Sequence, residues 1–178
     1  EEGDSLNNET RFMLGKAMER LHHQVKRVTT ITHSMLGFVR NSEGGMVPVN
    51  LENLMEESLN VLASEVRRSG TEIITEYSEQ LPDFVSDPSL LQQVLVNLIT
   101  NALDAIEESG KPSGSLEIVT RRDGDHAVIM LQDNGVGIPT DAKDRIFDLF
   151  HTTKPVGKGT GLGLSIVHDI VHRLGGDI

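Results

Sequence analysis

Asp133-Asn134-Gly135-Val136-Gly137 and Gly157-Lys158-Gly159-Thr160-Gly161-Leu162-Gly163-Leu164-Ser165 decide how this chain is read, with Phe147, Phe150 and Thr152-Thr153-Lys154 between them. Glycine has no Cβ, so it lets backbone approach a ligand closely and adopt φ > 0. A glycine cluster that opens a helix also turns unpaired N–H groups toward an anion. The second cluster therefore predicts a phosphate cradle. Upstream, a helical pattern over 94–106 carries Asn97, Asn101 and Asp104 at spacings of four and three, which places all three on one helix face. Carboxamides, a carboxylate, glycines and a lysine in this order predict a purine nucleotide site with a metal.

Composition bounds the partners. The chain has 178 residues, enough for one or two small domains with a proper core. Its 27 acidic against 16 basic residues give a formal charge of −11, and no basic stretch could track a phosphate backbone, so no nucleic-acid partner is expected. It has no cysteine, hence no disulfide framework and no thiolate metal site, consistent with a reducing compartment such as the cytoplasm. No apolar run approaches the roughly 18 residues of a membrane span, and Glu1-Glu2-Gly3-Asp4 lacks the basic and apolar regions of a signal peptide. This piece is expected to be soluble, with no direct membrane contact.

Residues 7–40 read as one long proline-free helix. Leu14, Leu21, Val28 and Met35 recur every seven residues, Ala17, Ile31 and Phe38 fall on the neighbouring column, and Met18, Val25 and Val39 widen the stripe. A face this broad suits a helical bundle, so the helix needs partners from another chain or from sequence not present here. The breaker-rich run Asn41-Ser42-Glu43-Gly44-Gly45 ends it. Three segments are expected: a helix over 1–43, a linker over 44–50 and an α/β domain over 51–178. Within the last, the pattern predicts a helix over 51–68, a strand over 71–77 and a helix opened by Asp87-Pro88. Two further strands, 115–122 and 127–132, are joined by Asp123-Gly124-Asp125. The expected fold class is α/β (α+β): a two-layer sandwich whose mixed sheet is covered by helices on one face.

The stretch Asn97-Leu98-Ile99-Thr100-Asn101-Ala102-Leu103-Asp104-Ala105 resembles the N box of the catalytic ATP-binding domain of two-component sensor histidine kinases. Residues 133–137 are similar to the first glycine box, 146–150 to the F box and 159–163 to the second glycine box. The ordered set covers about 47–178, and a lone glycine pair would be weak beside it. The phrase over 147–163 is similar to nitrogen-regulation-type kinases in particular. Gyrase-type, chaperone-type and mismatch-repair ATPases share the fold.

This resemblance implies ATP and Mg2+ as cofactors. Asp133, at a strand end, would accept the adenine amine, because a carboxylate only accepts and that amine donates; standing alone it reads sooner as a turn aspartate before Asn-Gly, and the other boxes turn the balance to adenine. Gly135, Gly137 and Ile138 would lie by the base. Asn101 resembles the magnesium ligand, which suits an ion that shares a few protein oxygens with phosphates and water. Asp104 either meets the waters of base or metal or faces solvent, and Ala105 follows it along the helix. Thr153, Lys154 and Lys158 belong to a lid over 151–160 that is expected to be mobile without nucleotide, and at least one of Phe147 and Phe150 is expected to be a docking or lid-packing aromatic; Gly159, Thr160, Gly161, Leu162, Gly163 and Leu164 form the cradle. Asn97 and Lys154 are the residues implied in catalysis. ATP-hydrolysing relatives commonly hold a water-activating glutamate four residues before the metal asparagine, and the amide of Asn97 cannot accept a proton at neutral pH. That favours phosphoryl transfer to a side chain over hydrolysis.

The family's acceptor histidine is typically followed by an acid. His22 precedes His23 and His33 precedes Ser34, so neither pattern matches, and the acceptor is expected outside this chain. The resemblance implies that 1–43 is the second helix of a dimerisation and phosphotransfer hairpin whose first helix is not in this sequence, and the implied partners are a response-regulator receiver domain and, through that N-terminal helix in the parent protein, a second copy. The family usually continues beyond Ile178 into closing strands. A serine kinase or ATPase of the same superfamily and a non-catalytic dimerising scaffold are the alternative readings.

Overall fold

The computed structural model describes residues 10, 12–18, 45–78, 81, 83–154 and 159–178. The chain divides into two units, 1–39 and 40–178. In the first, residues 12–18 are helical and expose Leu14 and Met18. The rest of the heptad pattern, with His22, His23 and His33, lies outside the described residues.

The second unit is built on two small sheets. Strand β1 (Val47–Val49) pairs antiparallel with β3 (Phe84–Ser86). Strand β2 (Glu72–Glu76) runs parallel to β4 (Ser115–Asp123), which pairs antiparallel with β5 (His126–Asp133). The stretch 44–50, read as linker, thus contributes a strand. The turn between β4 and β5 tightens at Gly124, whose φ of 59° favours a residue without Cβ. Leu116 and Ile118 are fully buried on one face of the mixed sheet, while Ile74 and Met130 remain nearly half exposed on the other. Helices cover one face, as the sequence predicts.

Where one helix is expected over 51–68, two form, α1 (Leu51–Val61) and α2 (Ala63–Ser69), meeting at Leu62 with φ −97° and ψ 9°. No glycine or proline marks the break. Leu62 is buried there, and Leu59 and Val66 pack on the same core from either side of it, so tertiary packing sets the kink. Asn50 caps α1 by accepting a hydrogen bond from the Asn53 N–H at 3.0 Å.

Helix α3 (Pro88–Ser109) organises the unit. Asp87 accepts from the N–H groups of Ser89 at 2.9 Å and Leu90 at 3.2 Å, Pro88 takes the first turn, and Gly110 closes the helix with φ 62°. Leu95, Ile99, Ala102, Leu103 and Ile106 enter a core with Met55, Leu116 and Ile118. A second stripe, Leu90 and Val94, packs on Val167 and Ile170 of helix α4 (Gly163–Arg173). Full burial of each large aliphatic contributes about 1.5–3 kcal/mol.

Candidate nucleotide site

Asn97 and Asn101 stand half-buried one heptad beyond Leu90 and Val94, on the side of α3 that faces α4, and Asp104 lies beside them. The first residue of helix α4, Gly163, lies beside Asn97 and Asn101. A Cβ built on Gly163 would lie 3.5 Å from Asn101 Nδ2 and 4.0 Å from Asn97 Oδ1. Among the described residues no side chain caps α4; Leu162, at the cap position, accepts from Ile166 N at 3.0 Å and from Ser165 Oγ at 2.9 Å, and its own N–H donates to Thr160 Oγ1 at 3.4 Å. An α-helix leaves its first N–H groups without intrahelical partners, and the helix that begins at Gly163 starts beside the two carboxamides. This is a geometry for an anion with an oxygen-seeking cation beside it.

The first glycine box is held by α3 and β4. Asn134 donates from its backbone N–H to Ser115 O at 3.2 Å. Its side-chain Oδ1 accepts from Ser115 N at 3.0 Å, and its Nδ2 donates to Ser113 O at 3.0 Å. Lys111 Nζ donates to the Asn134 carbonyl. Sequence reasoning missed this role of Asn134; the Asn-Gly pair signalled a turn but not its partner. Asp133 accepts from Gly135 N at 2.8 Å and is otherwise exposed at the end of β5.

The two glycines of this box differ. A Cβ on Gly135 would fall 2.5 Å from the Ala105 carbonyl carbon and 2.7 Å from Ala105 Cβ, and Val136 N donates to Ala105 O at 3.1 Å. Gly135, expected beside the base, serves close packing of its loop on α3. Gly137 has φ 72° and open space around it.

The segment expected to form a lid is closed at its base. Phe150 N donates to Gly161 O at 2.8 Å, and a Cβ on Gly161 would fall 2.3 Å from the Phe150 carbonyl carbon. Phe150 is 72% exposed with φ 65°, an unusual backbone for a bulky residue. Phe147 instead packs inward, its ring centroid 5.1 Å from that of His168 on α4. Thr152 Oγ1 occupies the space beside Gly159 and accepts from Lys154 N at 3.2 Å. Lys154 reaches across to α3, where its Nζ meets Asp104 Oδ2 at 2.6 Å.

The structure therefore gathers Asn97, Asn101, Asp104, Lys154 and Gly163, and separately joins Ala105 to Gly135. Ile138, Phe150 and Thr153 are exposed, Thr160, Leu162 and Leu164 half-buried in the cradle, and Lys158 lies outside the described residues. Among the described residues no three His, Asp or Glu side chains cluster as a metal cage. The Asn101 carboxamide oxygen fits a magnesium ion that takes its remaining ligands from phosphate and water.

Residues 86–178, just over half of the chain, match the family of histidine kinase-, DNA gyrase B-, and HSP90-like ATPases, and the chain belongs to that family. Among curated relatives, it is 35% identical over 170 residues to the two-component sensor PprA of Pseudomonas aeruginosa, covering 93% of this chain and 18% of that protein. It is 32% identical over 155 residues to the sensor histidine kinase ZraS of Escherichia coli, covering 87% of this chain and 32% of that one. The chain thus spans between about a fifth and a third of these relatives' length. Full-length ShkA in complex with AMPPNP superposes with a TM-score of 0.72 at 27% identity, covering 96% of this chain and 35% of that one. The histidine kinase ThkA, in complex with the response regulator TrrA, gives 0.73 at 25% identity, covering 97% and 47%.

Proposed function

We propose that this chain is the ATP-binding catalytic region of a sensor histidine protein kinase, acting in the cytoplasm. The reaction is transfer of the γ-phosphoryl group of Mg-ATP to an imidazole nitrogen of a histidine outside this chain, with ADP leaving, for relay to an aspartate of a response-regulator receiver domain. The observation that carries this reading is the approach of the uncapped α4 N-terminus to the carboxamides of Asn97 and Asn101. Magnesium, when bound, neutralises phosphate charge.

Each residue then has a task. Asp133 accepts from the adenine amine, and Gly137 keeps backbone low beside the base. Asn101 offers its carboxamide oxygen to magnesium, while the α4 N-terminus and the glycines 159–163 receive phosphate oxygens. Asn97 is an amide where a water-activating base would be needed for hydrolysis, so the site holds reactants in line without promoting attack by water. Dimerisation through the N-terminal helix of the parent protein belongs to the same reading. The phrase over 147–163 supports nitrogen-regulation-type kinases as the nearest kind.

Two measurements test this. Calorimetry with Mg-AMPPNP should give one site per chain, and radiolabelled Mg-ATP should place acid-labile, base-stable label on a separately supplied acceptor hairpin. Acid-stable label on serine, or steady ATP hydrolysis without transfer, would reassign the reaction. Failure to bind the analogue at millimolar concentration would remove the nucleotide reading altogether.

A further inference from the structure

Two imidazoles stand on one face of α4, His168 and His172, one helical turn apart, with their Nε2 atoms 3.2 Å from each other. We propose that this pair is a binding site for a divalent transition-metal ion, zinc above all, separate from the nucleotide site. Residues four apart on a helix are neighbours, and two histidines at that spacing are a chelating arrangement for zinc. Zinc takes imidazole nitrogen at about 2.0–2.1 Å, so two such ligands of a tetrahedral ion stand about 3.3 Å apart. The two Nε2 atoms already lie at nearly that separation.

A hydrogen bond between the rings is the plainer account of this contact, and its geometry is poor. A straight N–H···N bond of this length would set the ring centres about 5.5 Å apart, whereas they stand 4.3 Å apart with their planes at 71°. The rings are therefore bent out of line with the contact. A turn about χ2, a soft torsion in histidine, aims both lone pairs at one ion beside them. Phe147 packs on His168 with ring centroids 5.1 Å apart, and His168 is half-buried next to the fully buried Val167. Packing thus fixes one ligand, while His172 is exposed and meets the ion from solvent. Among the described residues no third histidine or carboxylate joins the pair, so water completes the shell and the affinity is micromolar, weaker than that of a closed structural site. Imidazole nitrogen selects zinc, copper or nickel, whereas magnesium seeks oxygen and near-ideal octahedral geometry. A bound ion staples the last two turns of α4, the helix whose Val167 and Ile170 pack on Leu90 and Val94.

Calorimetry of the whole chain with zinc sulfate, in saturating magnesium and a buffer that does not chelate, tests this. The parent should bind zinc with micromolar Kd. Groups that merely support a metal ligand are worth about 10–100-fold in affinity, so loss of a ligand in His172→Gln should weaken zinc binding by at least about ten-fold. His172→Cys supplies a thiolate at the same place and should recover it. A triple variant, His22→Gln with His23→Gln and His33→Gln, removes the imidazoles of the N-terminal unit and should bind zinc as the parent does. In nitrogen-15 spectra of the histidines, zinc but not magnesium should shift the Nε2 signals of His168 and His172. Zinc at about a hundred times Kd should raise the Tm of the parent by several degrees and leave that of His172→Gln in place. Undiminished zinc affinity in His172→Gln would overturn the site, as would affinity that disappears with the N-terminal histidines. So would a parent that binds no zinc at millimolar concentration, or spectra in which neither His168 nor His172 responds.

Discussion

Replacing Gly135 by alanine tests the contact on which the first glycine box stands. The added Cβ would sit 2.5 Å from the Ala105 carbonyl carbon, 2.7 Å from its oxygen and 2.7 Å from its Cβ, all parts of a helix that cannot yield locally. Overpacking of this kind costs about 1–3 kcal/mol. Separation of the loop from α3 would also lengthen the 3.1 Å hydrogen bond from Val136 N to Ala105 O, worth about 1 kcal/mol. The total is about 2–4 kcal/mol, which at a slope near 2 kcal/mol per molar urea lowers the unfolding midpoint by about 1–2 M. Gly137→Ala is the internal control, since that position has open space and only its φ of 72° to penalise, at about 1–2 kcal/mol. Urea titration followed by circular dichroism should rank parent, then Gly137→Ala, then Gly135→Ala, with similar slopes. A Gly135→Ala protein that unfolds with the parent, or after Gly137→Ala, would refute the claim that this glycine exists for helix contact.

Three further outcomes are expected. Asp133→Asn keeps an oxygen for the 2.8 Å bond from Gly135 N, so stability should hold, while adenine nucleotide binding measured by calorimetry should weaken by about 1–3 kcal/mol; unchanged affinity would remove Asp133 from the site. Asn101→Ala should reduce the magnesium dependence of AMPPNP binding more than the affinity for nucleotide without metal, and identical titrations with and without magnesium would withdraw it as ligand. The chain on its own should bind Mg-ATP yet acquire no acid-labile label, because His22 and His33 are not followed by an acid; label mapped to either would overturn that reading.

The parts of the fold that were legible in the sequence are those whose cause is local. Asp87-Pro88 announces the start of α3 because the cap and the proline act within one turn, and alternation of Leu116, Ile118 and Thr120 announces a strand with one buried face. Pairing of β1 with β3 was not legible. Each is only three residues long, and their register, Val47 with Ser86 and Val49 with Phe84, is fixed by chain brought back from far along the sequence. The break at Leu62 was hidden for a similar reason: its cause is the core that Leu62 enters, not a residue that disfavours helix. At the site, the order of the boxes named the ligand class, yet both joining contacts escaped. Gly135 against Ala105 spans thirty positions and Lys154 against Asp104 fifty, and neither residue type announces its partner.

Helix α3 explains why the site and the core cannot vary independently. Over 94–106 its sequence is apolar around little more than half of the helix, with Asn97, Thr100, Asn101 and Asp104 on the remaining side. The structure divides the apolar surface into a face on the mixed sheet and α1 and a stripe on α4, and Asn97 and Asn101 follow Leu90 and Val94 of that second stripe one heptad on. Two packed stripes fix the rotation of the helix about its axis, because turning it by one residue, about 100°, would drive Asn97 or Asn101 into a core that holds Leu95 and Ile99 fully buried. The same α4 that packs Val167 and Ile170 on the second stripe presents Gly163 at its own N-terminus, so the distance from α4 to the carboxamides is set by the size of the side chains in that contact. The approach of Gly163 to the carboxamides is a consequence of hydrophobic packing. The polar residues need only stand at the right spacing along a helix whose orientation the core has already determined.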